Sequence, residues 1–326
     1  MSAGTRRAVF RQAFETSLGV EVLKMYLPSA APGSSAAFWE ENWSKVPLEQ
    51  ALSFCNVDPL RPLLDSYFTP NKTILEGGCG LGQYLVYYKK LGAEITGLDM
   101  ALGPLQALKR RHPDSLLTAG NVETLPYRDE VFDVYYSGGV VEHFEHGPCK
   151  ALLEAYRVLK SGGTFLVSVP DESLLRKLLM RRRVEQRRFG QHWIRVSRPE
   201  RGDTPLVGGM HFFQYAFSRG EFKHALDQIG FKVRHTFGYS INWGLMELPM
   251  VRWILTRFGR HSGANGHAPD LEPRPLSSAI SHQSWPRNLA RRLLIMEDLS
   301  IVPLRPLLHV LRATSANMRM YVCRRP

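Results

Sequence analysis

The chain has 326 residues, 44% of them hydrophobic, which is enough for one large domain with additions around it. Its 42 Lys and Arg against 30 Asp and Glu give a formal net charge of +12, which favours anionic partners. The four cysteines form no C-x-x-C pair, which argues against a disulfide framework or a zinc ribbon, and no apolar run reaches the roughly 20 residues that span a bilayer. Because the N-terminus also lacks an apolar signal core, we expect a cytoplasmic protein without a transmembrane helix.

Residues 1–70 are predicted to form a helical segment. Its first helix would carry Leu18, Val22 and Leu23 on an apolar face, and a linker of small residues follows. The aromatic run Phe38–Trp43 comes next, and we expect it either to cover a binding site or to pack on the core.

A glycine-rich loop follows the first strand of the core. The strand over Thr73–Leu75 ends on Glu76, and the chain then reads Gly77-Gly78-Cys79-Gly80-Leu81-Gly82-Gln83. Glycines have no Cβ, so they allow a tight turn and a close approach of the backbone to a ligand. About 20 residues later a second apolar stretch ends on Asp99, where Rossmann-like folds place a carboxylate for ribose hydroxyls. The pattern indicates a cofactor that contains a ribose.

The glycine spacing separates two classes of cofactor. A dinucleotide dehydrogenase has G-x-G-x-x-G, but Gln83 stands where its third glycine would fall. The sequence instead resembles class I methyltransferases that depend on S-adenosylmethionine (SAM), whose first motif D/E-x-G-x-G-x-G is matched by Glu76, Gly78, Gly80 and Gly82. This resemblance implies SAM as the cofactor and S-adenosylhomocysteine as its product.

The resemblance continues to about residue 170. Asn121 stands where the family has an acidic residue that contacts the adenine amino group, and its side-chain oxygen can still accept that hydrogen bond. Residues 131–137 resemble the fourth strand, residues 138–144 the loop beside the methyl donor, and Arg157–Gly163 the family's R-V-L-K-P-G-G. The implied cofactor-binding residues are Glu76, Gly78, Cys79, Gly80, Gly82, Gln83, Asp99, Met100, Asn121, Val122, Ser137 and Gly138.

The resemblance implies a Rossmann-like α/β fold with a mostly parallel seven-stranded sheet, helices on both faces, and two insertions that form a cap with the N-terminal segment. The expected parts are a helical lid at 1–70, the SAM-binding core at 71–170, a basic insertion at 171–217, a core helix and strand at 218–239, a second insertion at 240–315 with an exposed loop at 259–288, and the last strand at 316–326. Within them we predict a helix over 151–160 that ends at 161–163 before a strand at 164–169, and a helix around 243–258.

The basic insertion has two interpretations. In the first, Leu174, Leu175, Leu178 and Leu179 pack inward beneath a solvated basic face. In the second, its arginines recognise an anion and the insertion acts as a lid over the site.

His143 is the first candidate to accept the acceptor's proton, because it follows the fourth strand and histidine titrates near neutral pH. Glu142 and His211 are the other candidates for the catalytic site, and His211 would reach it only if the basic insertion folds over. The E-x-x-E-H pattern of metal-assisted relatives would place its first Glu at Gly139, which has no ligand atom. We therefore predict no metal.

Three functions fit these observations. The favoured one is methyl transfer to a hydroxyl or amine of a small molecule, aromatic or anionic, in natural-product, glycan or quinone-like biosynthesis. The arginine-rich insertion keeps RNA methylation open, although the sequence has no recognisable RNA-binding module. The third is a partner protein that binds SAM without catalysis. A homo-oligomer is compatible with all three.

Overall fold

The structure is a computed structural model, and it describes residues 22–29, 31–180, 185–188, 191–196, 209–251, 289 and 292–326. The strands are β1 (Val22–Leu27), β2 (Thr73–Gly77), β3 (Glu94–Asp99), β4 (Leu116–Ala119), β5 (Phe132–Gly138), β6 (Leu159–Pro170), β7 (Glu185–Arg188), β8 (Gln191–Val196), β9 (His211–Ala216), β10 (Lys232–Tyr239) and β11 (Met318–Arg324). The helices are α1 (Ala36–Ser44), α2 (Leu48–Cys55), α3 (Arg61–Tyr67), α4 (Gln83–Lys90), α5 (Leu102–Arg111), α6 (Cys149–Val158), α7 (Leu174–Met180), α8 (Arg219–Ile229), α9 (Ile241–Leu245) and α10 (Arg305–Ser315), with 3-10 turns at Val141–His143 and Val302–Leu304.

The larger sheet has seven strands in the order β10-β11-β6-β5-β2-β3-β4. Strands β4, β3, β2, β5 and β6 are parallel, and β11 lies antiparallel between β6 and β10. The chain steps outward from β2 to β3 and β4, and then returns to build β5 and β6 on the other side. Ligands of such sheets bind outside the carboxyl ends of the strands where the order reverses, which here lies between β2 and β5. The predicted Rossmann-like fold is confirmed.

Helices cover both faces of this sheet. Neighbouring side chains of a strand point to opposite faces, so Leu75 joins one apolar cluster and Ile74 the other. Leu152 of α6 and Phe222 of α8 pack in the first cluster, while Leu85 of α4 packs in the second. The inner strands β2, β5, β6 and β11 are therefore buried on both sides along most of their length, whereas the edge strands β4 and β10 are partly exposed.

The boundary between α6 and β6 differs from the prediction. The helix ends at Val158 and β6 begins at Leu159, so residues 161–163 lie inside the strand and do not form a separate turn. Gly162 adopts a φ of 73°, and the pairing register between β5 and β6 shifts at the start of β6. The glycines therefore serve as a local irregularity in the strand.

A second sheet has the order β7-β8-β1-β9. The predicted N-terminal helix is wrong at Val22 and Leu23, because both residues lie in β1, whereas Leu18 lies outside the described residues. Strand β1 pairs antiparallel with β8 on one side and β9 on the other, and the side chains of Val22 and Leu23 are buried. These partners come from the basic insertion, so this insertion contributes strands and not only helix.

The leucine pattern of the basic insertion also predicted the wrong buried face for α7. Leu174 is 51% exposed and Leu178 is 56% exposed, whereas Arg176 is only 4% exposed. Arg176 Nη1 donates to the main-chain oxygen of Asp171 at 2.6 Å, and its Nη2 donates to Asn317 Oδ1 at 2.6 Å. A buried arginine with several oxygen partners therefore fixes the inward face of α7.

The second insertion is described in part. Its first helix, α9, ends at Leu245 and a turn follows, so the predicted helix over 243–258 is interrupted there. Residues 252–258 and the predicted loop at 259–288 lie outside the described residues. None of the helices that the structure describes is both long and apolar enough to cross a membrane.

Candidate cofactor and active site

The loop between β2 and α4 depends on glycine at three positions. Gly78, Gly80 and Gly82 have φ values of 77°, 53° and 69°, a region that other residues seldom adopt. A Cβ on Gly78 would lie 2.3 Å from Val140 Cγ2, and a Cβ on Gly80 would lie 2.8 Å from the Trp43 ring. Both the backbone conformation and the close packing therefore require these glycines.

The N–H groups of this loop bind the neighbouring strand end. Gly78 and Cys79 both donate to the main-chain oxygen of Leu98, at 2.7 and 3.0 Å. The Gly80 N–H donates to Asp99 Oδ2 at 2.7 Å. Because these three donors are used within the protein, they do not form a cradle for a pyrophosphate, which agrees with the glycine spacing.

Asp99 is 6% exposed at the carboxyl end of β3. Its Oδ1 accepts from Ala101 N at 2.8 Å, and each carboxylate oxygen has a further lone pair. Burial raises the pKa of Asp99 above its ordinary value, while the backbone N–H groups of Ala101 and Gly80 oppose that shift. The carboxylate is thus held in one position and keeps acceptor capacity for ribose hydroxyls.

A cavity of about 150 Å³ lies at the carboxyl ends of β2, β3 and β5. It is lined by nine of the residues singled out from the sequence, namely Glu76, Gly78, Cys79, Gln83, Asp99, Met100, Val122, Gly138 and His143. Gly80, Gly82, Asn121, Ser137, Glu142 and His211 are not among the lining residues. The strand ends therefore bring together the motif residues and one of the three catalytic candidates.

Two buried acceptor atoms in the cavity wall have no hydrogen-bond partner in the described part of the chain. They are Glu76 Oε2 and Gln83 Oε1. Burial raises the pKa of Glu76 to about 8, and the nearby Asp99 charge adds to the shift. Among the residues that the structure describes, no lysine or arginine lines the cavity. Two unpaired acceptors without a counter-cation suit a donor such as the ammonium group of SAM, so the residues present fit this cofactor.

Asn121 and Ser137 were predicted to contact the cofactor, but neither residue lines the cavity. Asn121 Oδ1 accepts from the N–H of Glu123 at 2.8 Å, so the side chain folds back on its own loop. Its neighbours Gly120 and Val122 line the cavity instead. Ser137 is fully buried and its hydroxyl has no partner among the described residues.

His143 is held tightly at one wall of the cavity. It is 5% exposed, and its Nδ1 lies 2.8 Å from the main-chain oxygen of Phe213. Since a carbonyl only accepts, Nδ1 carries the proton and Nε2 keeps its lone pair. Burial lowers the pKa of His143 to about 4, although hydrogen bonds to the Phe213 and Gly139 backbone oppose the shift. The imidazole is therefore neutral at physiological pH.

Glu142 lies beside this histidine but belongs to the buried interior. Its Oε1 is 3.9 Å from His143 Nε2, and its Oε2 has no partner among the described residues. Burial raises the pKa of Glu142 to about 8. Both groups are thus uncharged near pH 7, so their proximity is not an ion pair.

His211 lies at the first position of β9 and pairs with Leu27 of β1. Strand β9 reaches the site through Phe213, whose ring lies 4.7 Å from that of His143 between centroids. No local sequence pattern predicts this contact, because it depends on how the second sheet is placed against the turn after β5.

The aromatic run before the core covers the cavity. Ser35 accepts a hydrogen bond from Phe38 N at 3.3 Å and so begins α1. Trp39 and Trp43 of this helix line the cavity and stack at a centroid distance of 5.6 Å. Trp39 also meets His143 edge to face at 4.9 Å. The rings of Trp39 and Phe213 therefore shield the imidazole of His143 from water.

Comparisons with known proteins agree with this geometry. The family model described as a methyltransferase domain matches residues 75–167. The malonyl-[acyl-carrier protein] O-methyltransferase of Serratia marcescens is 32% identical over 109 residues, which cover 33% of this chain and 42% of that protein. The demethylmenaquinone methyltransferase of Renibacterium salmoninarum is 38% identical over 100 residues, 30% of this chain and 41% of that protein. The chain thus matches less than half the length of either relative.

Among solved structures, the S-adenosylmethionine-dependent methyltransferase from Mesorhizobium loti is 16% identical. The match has a TM-score of 0.46 and covers 82% of this chain and 98% of that one. The matched family domain holds the glycine loop, Asp99 and His143. The chain therefore contains a class I SAM-dependent methyltransferase domain, and SAM is the cofactor of that domain.

Proposed function

We propose that this protein transfers the methyl group of SAM to a hydroxyl or amine of a small-molecule acceptor. The observation that carries the proposal is the position of the neutral His143 in the wall of the cavity that also contains Asp99 and the glycine loop. When bound, SAM supplies an electrophilic methyl group. The residues around it need to hold it in place, align the acceptor and receive the acceptor's proton.

Three side chains are suited to hold the cofactor. The unpaired oxygens of Glu76 and Gln83 would accept from its ammonium group. Asp99 would accept from its ribose hydroxyls, since two backbone N–H groups already fix the carboxylate. Met100 and Val122 provide apolar walls near these groups. This assignment leaves the His143 end of the cavity for the acceptor.

His143 is suited to receive the proton through Nε2. As an oxygen–methyl bond forms, the acceptor oxygen becomes positively charged and its proton becomes strongly acidic. A base with a pKa of about 4 is then strong enough, and its neutral form is fully populated at pH 7. The Phe213 carbonyl stabilises the imidazolium that results, because it accepts from Nδ1.

The walls of the cavity favour an aromatic or otherwise apolar acceptor. Trp39, Trp43, Tyr84, Tyr136 and Phe144 line it, and no cationic side chain is among the lining residues of the described structure. Of the two acceptor types expected from the sequence, the anionic one is therefore disfavoured. The named relatives act on different acceptors, so neither substrate is carried over to this chain. Natural-product or quinone-like biosynthesis fits such an acceptor better than glycan biosynthesis does, and the scattered cysteines fit a reducing cytoplasm.

Turnover with a panel of acceptors tests this proposal. Purified protein is incubated with SAM and with separate phenols, catechols, aliphatic alcohols, amines and carboxylic acids, and S-adenosylhomocysteine is measured by mass spectrometry. We expect formation with one of the hydroxyl or amine classes and loss of that activity in His143→Phe. Methyl transfer to carboxylic acids alone, or an equally active variant, would contradict the proposal.

A further inference from the structure

An unusual apolar surface lies on two helices outside the cofactor site. It is formed by Leu174 and Leu178 of α7 and by Leu307 and Val310 of α10, which are 51%, 56%, 49% and 57% exposed. We call it the α7–α10 face. Spacing of four residues on α7 and three on α10 places each pair on one side of its helix. The two helices pack against each other, so the two exposed pairs lie on neighbouring helices.

This face lies at the carboxyl edge of the larger sheet. Helix α7 begins shortly after the carboxyl end of β6, and α10 leads into β11, which runs antiparallel to β6. Helix α9 follows the carboxyl end of β10, packs on α10 and adds Trp243, which is 59% exposed. The apolar surface is therefore on the same edge as the cofactor cavity.

The helices beneath the face are anchored by buried polar contacts. Arg176 holds α7 through Asp171 and Asn317, and its guanidinium lies 4.9 Å from the centre of the Trp193 ring. On α10, Leu308 is fully buried and Arg312 Nε donates to Glu297 Oε2 at 2.8 Å. Because their inward sides are fixed, neither helix can rotate its exposed leucines into the core.

The charge around the face has one sign. Residues 174–180 and 302–315 contain no aspartate or glutamate, whereas Lys177, Arg305 and His309 are exposed on them. A surface that combines large apolar side chains with a basic rim complements an anionic lipid surface.

The nearest carboxylates do not reverse this charge. Glu172 is 8% exposed and accepts from Arg195 Nη2 at 2.6 Å. Glu247 pairs with Arg176, and Glu297 is 2% exposed and pairs with Arg312. Each of these carboxylates is thus paired with an arginine, and Glu172 Oε2 also lies 3.9 Å from Lys177 Nζ, whose side chain stays 49% exposed. The exposed ionisable side chains of α7 and α10 are therefore basic.

We propose that the α7–α10 face docks this protein on anionic lipid surfaces. The exposed leucines and Trp243 would enter the boundary between headgroups and acyl chains, and the basic rim would contact the phosphates of the headgroups. Docking through this edge would bring the mouth of the cavity close to the lipid. The inference goes beyond methyl transfer and does not depend on it.

Vesicle sedimentation with the full chain tests the docking. The probes are vesicles of phosphatidylcholine alone and of equal parts phosphatidylcholine and phosphatidylglycerol. We expect binding to the phosphatidylglycerol vesicles that weakens at high salt, and little binding to phosphatidylcholine alone. The double variant Leu178→Asp and Val310→Asp should bind at least tenfold more weakly, since it removes two apolar contacts and adds two negative charges.

Leu91→Asp combined with Leu116→Asp is the matched control. Both leucines are about half exposed and lie outside α7 and α10, and the net charge changes by the same amount. This control should bind vesicles like the wild type, and SAM binding should show that both variants are folded. An equal loss of vesicle binding in the two double variants, or no binding of the wild type to phosphatidylglycerol vesicles, would overturn the proposal.

Other occupants of the face give distinct results. A second copy of the chain would appear as a dimer in sedimentation equilibrium that the Leu178→Asp and Val310→Asp variant dissociates. Coverage by the chain's own residues 261–285 would appear as vesicle binding that begins only after those residues are deleted. If RNA is the partner, the wild type should bind RNA but not vesicles, and the Leu178→Asp and Val310→Asp variant should bind RNA more weakly. Each of these results would replace the lipid surface as the partner.

Discussion

The Nδ1 atom of His143 donates a hydrogen bond to the main-chain oxygen of Phe213 at 2.8 Å. The histidine belongs to the turn after β5, whereas the carbonyl belongs to β9 of the second sheet. A strand from the basic insertion therefore selects the tautomer of the residue that we propose as the catalytic base. The main-chain origin of the acceptor means that a side-chain substitution at Phe213 leaves this hydrogen bond in place.

His143→Phe should lower turnover by about 10² or more and leave SAM affinity near the wild-type value. Phenylalanine keeps an aromatic ring between Trp39 and Phe213, but it has no nitrogen that could receive a proton. Steady-state kinetics and calorimetric titration with SAM measure the two effects separately. The control is His211→Phe, because His211 is outside the cavity lining. A fully active His143→Phe protein would make His143 a packing residue.

His143 should also make the fold sensitive to acid. Burial lowers its pKa from 6.5 to about 4 in the folded state, so the unfolded state binds more protons between these values. The contribution of His143 to stability should be constant above about pH 7 and should fall as the pH drops below 6.5, by up to ~3 kcal/mol near pH 4. Glu76 and Glu142 contribute with the opposite sign, because burial raises their pKa values to about 8 and stability falls through them as the pH rises. Urea unfolding at pH 7 and pH 5 measures the sum of these contributions.

Two variants isolate the contribution of His143 to that sum. Relative to its value at pH 7, the free energy of unfolding at pH 5 should be ~2 kcal/mol higher in His143→Phe than in the wild type, whereas the exposed His224→Asn should behave like the wild type. If the free energy of unfolding of the wild type and of His143→Phe changes by the same amount between the two pH values, His143 is not buried in its neutral form.

The sequence was most informative where structure depends on local pattern. Gly78, Gly80 and Gly82 are required by positive φ angles within one loop. Asp99 ends the strand that follows the next helix, so its distance from the loop along the chain is set by one helix and one strand. These features predicted the fold and the cofactor. The buried pairing of Asp99 with the Gly80 N–H links the two motifs and explains why both occur at this spacing.

The errors occurred where distant segments decide the local structure. Val22 and Leu23 fit a helix pattern, but pairing with β8 and β9 makes them strand. The leucines of α7 fit an inward face, yet the oxygen partners of Arg176 turn Leu174 and Leu178 outward. No local pattern contains the positions of those partners, so periodicity selected the wrong conformation or face.

Asp99→Ala should weaken SAM binding by ~1 to 3 kcal/mol, the range for a lost hydrogen bond to a charged group. The variant also leaves the Gly80 N–H without its acceptor, so a lower unfolding temperature should accompany the weaker binding. Glu94→Ala is the matched control, since Glu94 is an exposed acid at the other end of β3. Unchanged affinity in Asp99→Ala would remove the ribose assignment.

SAM binding should release a proton from Glu76. Burial raises the pKa of this carboxyl to about 8, so it is mostly protonated at pH 7, and a bound ammonium group would favour its charged form. Affinity should therefore rise severalfold between about pH 6 and pH 7.5. Calorimetry in buffers with different ionisation enthalpies measures the proton directly.

Glu76→Gln tests whether Glu76 is the source of that proton. It should bind SAM more weakly and with an affinity that no longer depends on pH over this range. Gln83→Glu offers the opposite change, because it replaces the other unpaired acceptor of the cavity wall with a carboxyl group. Proton release that persists in Glu76→Gln would assign the proton to another group.

Calorimetric titration of the wild-type protein with SAM, S-adenosylhomocysteine and NAD tests whether the cavity is a SAM site. The first two ligands should bind with micromolar affinity, because the cavity presents the acidic side chains of Glu76 and Asp99. The N–H groups of Gly78, Cys79 and Gly80 are already bonded within the protein and do not form a cradle for a pyrophosphate. NAD should not bind. Binding of NAD in preference to SAM, or the absence of binding by all three ligands, would show that this cavity is not a SAM site.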